Sequence, residues 1–141
     1  MQIGSGLIIA LAVVAVPEGV RAGSCTTSSP GVWTCSGPAG IDTTQTLTAP
    51  AGTILSVTTA PDFGITTTSG PALSLTNSTG TGLQFTDVNG SAITGLASGI
   101  RATNTSTGDL SITSTGHVTN SGTAAGPTAG GIYVTTGATS G

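Results

Sequence analysis

The stretch GIRATNTSTGDLSITSTGHVTNSGTAAGPTAGGIYVTT, residues 99–136, decides how this chain is read. It opens on Gly99-Ile100-Arg101-Ala102-Thr103-Asn104 and returns, 32 residues later, to Gly131-Ile132-Tyr133-Val134-Thr135-Thr136. Both phrases alternate apolar and polar residues, the pattern of a strand with one buried face. Asp109-Leu110-Ser111-Ile112-Thr113 lies between them as a third short strand. A strand phrase that recurs across Ser, Thr and Gly punctuation predicts stacked copies of one unit.

Weaker copies precede this stretch. Gly64-Ile65 and Gly82-Leu83-Gln84-Phe85-Thr86 begin the same way, and the successive intervals to Gly99 and Gly131 are 18, 17 and 32 residues. The last interval is near twice the others, and Gly116-His117-Val118-Thr119-Asn120 reads as a degenerate copy inside it. Apolar pairs at i and i+2 fall between: Leu55/Val57, Leu73/Leu75 and Leu110/Ile112. One such strand buries too little to fold alone, whereas stacked coils turn the pairs into continuous inward ladders. Gly, Ser and Asn at the corners allow tight turns, and outward Thr adds β propensity and cross-strand contacts. The expected fold is all-β: the N-terminal coils of a β-solenoid, in the form of a right-handed parallel β-helix. A β-sandwich fits the near-regular spacing and short strands poorly. A mucin-like Ser/Thr segment would not carry the apolar pairs.

Composition agrees. The 141 residues include five Asp or Glu, two Arg, no Lys, and 23 Gly, for a net charge of −3. One basic residue, Arg101, follows residue 22, so electrostatic binding to nucleic acid or to anionic lipid is excluded. No apolar stripe of helical period appears beyond residue 22.

Leu7 to Val16 reads LIIALAVVAV, too short to span a bilayer and of the length of a signal-peptide core. Pro17 breaks it, and Val20-Arg21-Ala22 supplies a cleavage pattern. Residues 1–22 are therefore read as a signal-peptide helix cut between Ala22 and Gly23. The segment before Leu7 has no Lys or Arg, which departs from the usual pattern. A buried core helix, or a lipoprotein acylated at Cys25, are the other readings. Cys25 and Cys35 are the only cysteines, and an even count in an exported chain favours a disulfide. Two Cys without nearby His cannot complete a metal shell, and their spacing is not that of a redox CxxC pair. Residues 23–40 form the disulfide-bracketed start, and residues 41–141 the repeat region.

The leader, the Cys25–Cys35 bracket and the phrases GIRATNTSTGDLSITSTGHVTNSG and GIYVTT together resemble the N-terminal passenger region of bacterial autotransporters, the type V secretion proteins. The resemblance implies a β-helical passenger that passes through the periplasm and crosses the outer membrane on a C-terminal translocator β-barrel. It implies display at the cell surface or release, and adhesion to host or matrix glycans or proteins. No barrel is encoded here, since one needs many longer strands and an aromatic girdle. On this reading the chain is the start of a longer protein, and residues 23–141 alone are weakly stable or associate.

Candidates for chemistry are few. His117 is the one histidine, with no free Cys nucleophile or acidic motif tied to it. Asp42, Asp62, Asp87 and Asp109 are singly spaced and read as turn-capping residues rather than a glycosidase pair. Asp87-Val88-Asn89-Gly90 lacks the downstream acidic ligands of a calcium loop. No Gly-rich phosphate loop is present. Asn77-Ser78-Thr79, Asn89-Gly90-Ser91 and Asn104-Thr105-Ser106 match the N-glycosylation pattern, as a Ser/Thr-rich chain does by chance. No catalytic, cofactor or metal site is expected, and the chain is read as a non-enzyme. Two alternatives stand: an ice-binding Thr-rich β-solenoid, prompted by Thr66-Thr67-Thr68, and a carbohydrate-active β-helix enzyme.

Overall fold

The computed structural model describes residues 22–123 and 130–137. The proposed signal-peptide helix falls outside the described residues. Thirteen strands and no helix are present among those described. They are β1 (Ser24–Ser29), β2 (Val32–Ser36), β3 (Ile41–Asp42), β4 (Gln45–Thr48), β5 (Leu55–Thr59), β6 (Gly64–Thr67) and β7 (Pro71–Asn77). There follow β8 (Leu83–Asp87), β9 (Ala92–Gly95), β10 (Ser98–Asn104), β11 (Leu110–Ser114), β12 (His117–Asn120) and β13 (Ile132–Thr136). They form three sheets, in the orders β1-β2-β5-β8-β11, β3-β6-β9-β12 and β4-β7-β10-β13. From β2 onward each step along the chain moves to the next sheet, and every third strand returns to the same sheet one level up. Apart from the antiparallel β1–β2 pair, all these pairings are parallel. The result is a β-solenoid of about three turns.

Register turns the apolar pairs into ladders. In the first sheet Leu55, Leu83 and Leu110 stack, beside Val57, Phe85 and Ile112. In the second, Ile65, Ile93 and Val118 stack. In the third, Leu73, Ile100 and Ile132 stack beside Leu75, Ala102 and Val134. The middle levels of these columns are sealed, and together they make one continuous core. Burying each Leu, Ile or Phe stabilises the stack by about 1.5–3 kcal/mol relative to leaving it exposed.

Two corners explain the glycine and asparagine content. Gly80 and Gly108 sit directly over the Thr53 and Thr81 carbonyls of the coil below, where a Cβ would fall inside the carbonyl oxygen. Asn77 and Asn104 are in register and are 0% and 3% exposed. The Asn77 side chain accepts from the Gly80 amide and donates to the Gly82 carbonyl. Asn104 donates to the Gly108 carbonyl at 2.8 Å. Asn77 thus satisfies the Gly80 amide and adds a second bond to the Gly82 carbonyl, which already accepts from the Leu55 amide, and Asn104 satisfies the Gly108 carbonyl.

The coil length differs from the 17- and 18-residue spacing in the sequence. Residues in register are 28 apart for Leu55 and Leu83, and 27 apart for Leu83 and Leu110. Gly64, Gly82 and Gly99 open strands in the second, first and third sheets respectively, so their spacing is two steps between sheets, about two-thirds of a coil. A triangular coil offers three similar strand starts per turn, and short strands in all three use the same Gly-aliphatic phrase. The 32-residue return is a true coil, because Ile100 pairs with Ile132 and Ala102 with Val134. Gly116-His117-Val118-Thr119-Asn120 belongs to the second sheet, where Val118 stacks on Ile93.

The first level is closed by the N-terminal hairpin. Cys25 and Cys35 are opposite one another in the β1–β2 pair and are joined in a disulfide. The Cys25 amide donates to Gln45 Oε1 at 3.2 Å, which ties β1 to the third sheet. At the other end Ile132 and Val134 are 42% and 43% exposed.

Candidate functional site: threonine columns and a sealed aspartate

The outward faces are columns of hydroxyls. Thr34, Thr58, Thr86 and Thr113 stack on the first sheet, with Thr26 of β1 beside Thr34. Thr48, Thr76, Thr103 and Thr135 stack on the third. Thr66, Thr94 and Thr119 stack on the second. Because neighbouring strands lie about 4.8 Å apart, each column repeats its hydroxyl and methyl at that interval. Thr94 and Thr119 hydrogen-bond to each other through their hydroxyls at 2.9 Å. The columns differ in their flanks. On the first sheet Ser56, Gln84 and Ser111 form the parallel row, all uncharged. On the third, Thr46, Ser74, Arg101 and Tyr133 do so.

Among the described residues Asp87 is the one fully buried charged side chain. It ends β8, is fully buried, and gathers donors from three levels. Its Oδ1 accepts from Thr59 Oγ1 at 2.8 Å, Ser91 Oγ at 2.9 Å and the Asn89 amide at 3.1 Å. Its Oδ2 accepts from Ser114 Oγ at 2.9 Å and the Ser91 amide at 3.2 Å. Burial by itself pushes the Asp87 carboxyl up, but the bonds from Thr59, Ser91, Asn89 and Ser114 outweigh it. They hold the group below the ordinary aspartate value, so it is ionised at neutral pH. A carboxylate ringed by N–H and O–H donors is not presented to a cation. The Asp87-Val88-Asn89-Gly90 turn is therefore a hydrogen-bond hub linking three coils. The sequence reading of Asp87 as a turn-capping residue accounts for its bonds to Asn89 and Ser91 but misses those to Thr59 and Ser114.

The remaining candidates are apart from it. Asp42 is half-buried in β3, its Oδ2 accepting from the Gly40 and Thr66 amides at 3.2 and 3.1 Å. Asp62 is exposed in the turn between β5 and β6, and Asp109 is exposed just before β11. His117 is exposed at the start of β12, in register with Ala92. Among the described residues no group of three His, Cys, Asp or Glu is placed to hold a metal ion. Of the three Asn-X-Ser/Thr matches, Asn77 and Asn104 are buried corner residues, and Asn89 is exposed with its amide donated to the Thr59 carbonyl. The proposed cleavage bond joins an exposed Ala22 to a buried Gly23 packed on Gly64. Compared with protein families, curated proteins and solved structures, the chain matches none of them.

Proposed function

We propose that this chain is an exported, non-enzymatic solenoid segment that serves as a structural or adhesive passenger at a cell surface. In this reading it is the N-terminal part of an autotransporter, released from its leader between Ala22 and Gly23. It passes through the periplasm and is carried over the outer membrane by a translocator barrel encoded downstream. The observation that carries the reading is the pairing of a disulfide-closed first level with long neutral hydroxyl columns on all three faces. A disulfide suits an oxidising compartment. Uncharged Thr and Ser rows on a rigid scaffold suit contacts with polyhydroxylated or protein surfaces, where hydrogen bonds and methyl contacts rather than charge decide binding. The test has two arms. The gene downstream of residue 141 is sequenced for an in-frame barrel, and the purified chain is assayed for retention on matrix- or glycan-coated surfaces. A downstream barrel with retention supports the reading. Absence of both refutes it.

A second reading has its own support. The first-sheet face carries Thr34, Thr58, Thr86 and Thr113 in one row and Ser56, Gln84 and Ser111 in the next. Such a flat, uncharged array with a repeat of about 4.8 Å could order water as ice-binding solenoids do. Thermal hysteresis of the purified chain separates the two, because an adhesive passenger has none.

A further inference from the structure

The N-terminal hairpin and the end of β4 flank an open cleft of about 550 Å³. Trp33 lines it, with Thr27, Ser28 and Pro30 on the hairpin side and Thr48 and Pro50 on the other. We propose that this cleft binds a neutral saccharide, with one sugar ring held against the Trp33 indole. The proposal rests on the adhesive reading for its biological sense, and on the cleft alone for its chemistry.

Four features point to an uncharged sugar. The volume falls in the range of small-molecule sites, which run from about 300 to 1,000 Å³. Among the described residues no charged side chain lines the cleft, so none of them recognises a phosphate, a uronate or an amine there. The indole is fixed in place, because Trp33 packs against the core cluster and its Nε1 donates to the Thr48 carbonyl at 3.2 Å. A large rigid aromatic face meets the apolar face of a pyranose ring at little entropic cost. The hydroxyls around it are set up as acceptors. Thr27 Oγ1 donates to the Ser29 carbonyl at 2.8 Å or the Val32 carbonyl at 3.2 Å, and Ser28 Oγ to Val32 at 3.5 Å. Each hydroxyl that donates inward keeps its lone pairs for an incoming O–H, and a sugar is a carrier of such donors. The walls are preorganised: the Cys25–Cys35 bond staples the hairpin, and Pro30 on the hairpin and Pro50 on the opposite wall limit backbone freedom on the two sides.

Trp33 is the chain's single tryptophan, so a change in its fluorescence when ligand is added to the folded chain reports on this cleft. The full chain is titrated with cellohexaose, maltohexaose and chitohexaose, and with hexagalacturonate as the charged comparison. We expect a saturable change with at least one neutral hexasaccharide, half-saturating below about 1 mM. Ser28→Arg, which projects a long side chain into the cleft, should weaken it by about tenfold or more. Ser111→Arg, the same change at an exposed serine of β11 outside the cleft, should not. Matched circular dichroism and melting curves establish that both variants fold. A flat titration with every neutral sugar, equal binding by Ser28→Arg, or tighter binding of hexagalacturonate would overturn the proposal. Surface retention that persists in Ser28→Arg alongside a flat titration rejects the cleft but leaves the adhesive reading standing. A saturable, Ser28-dependent titration in a chain that is not retained on any surface does the reverse.

Discussion

Replacing Asp87 by Asn tests whether the buried hub holds the coils together. The substitution keeps the volume and removes both the charge and one acceptor. In the native chain Oδ2 accepts from the Ser91 amide and from Ser114 Oγ, and Oδ1 from Thr59, Ser91 and Asn89. With Nδ2 in the Oδ2 position, Ser114 can rotate its hydroxyl to accept, but the Ser91 N–H faces another donor and keeps only its longer, 3.4 Å bond to Oδ1. An orphaned buried donor costs about 1–3 kcal/mol, and bonds to a neutral oxygen are weaker than those to a charged one by roughly 1 kcal/mol. The total is about 3 kcal/mol, or roughly 10 °C in melting temperature for a chain of this size. Urea unfolding, followed by Trp33 fluorescence and far-ultraviolet circular dichroism, measures it. The pH dependence has a definite sign. The folded pKa of Asp87 is lowered from 3.8, so its contribution is full above that value and is lost as pH falls through the lower folded one. The gap between wild type and Asp87→Asn should therefore be widest near pH 6 and narrow below pH ~3.5. A penalty under about 1 kcal/mol, or one that does not change with pH, would show that the hub is not what joins these coils.

Gly108→Ala drives a methyl into the Thr81 carbonyl and should cost about 3 kcal/mol or more. Gly90→Ala, with positive φ but open space, should cost about 1 kcal/mol; equal melting losses would count against close coil contact at Gly108. Reducing the Cys25–Cys35 bond should lower stability by about 2.5–3 kcal/mol. A melting curve unmoved by reductant, with thiol release verified by mass, would contradict its role as a staple. Ile100→Ala should cost about 2–5 kcal/mol, and Ile132→Ala far less, because Ile100 is sealed while Ile132 is 42% exposed. Denaturant midpoints showing the two equal would place the core elsewhere than in the middle levels.

Local chemistry was enough to determine the class of fold. Period-two pairs such as Leu55/Val57 and Leu73/Leu75, separated by Gly and Ser, can bury their apolar faces only by stacking, and they stack in register as strands. The 32-residue return from Ile100 to Ile132 was legible for the same reason, since both phrases fill one column. The Cys25–Cys35 pairing followed from there being only two cysteines. The coil length was not legible, because three sheets use one strand phrase and their starts are indistinguishable along a line of residues. Nor was the site. Asp87 reads as an ordinary turn aspartate, yet two of its partners, Thr59 and Ser114, lie 28 and 27 residues away. A spacing equal to the coil was the only signal, and it has meaning only once the coil is known. Trp33 likewise shares with Thr48 and Pro50 the lining of a cleft that exists because the hairpin folds beside the first coil. Side-chain periodicity is a property of neighbours along the chain. Register between coils, and the burial it creates, are properties of neighbours in space.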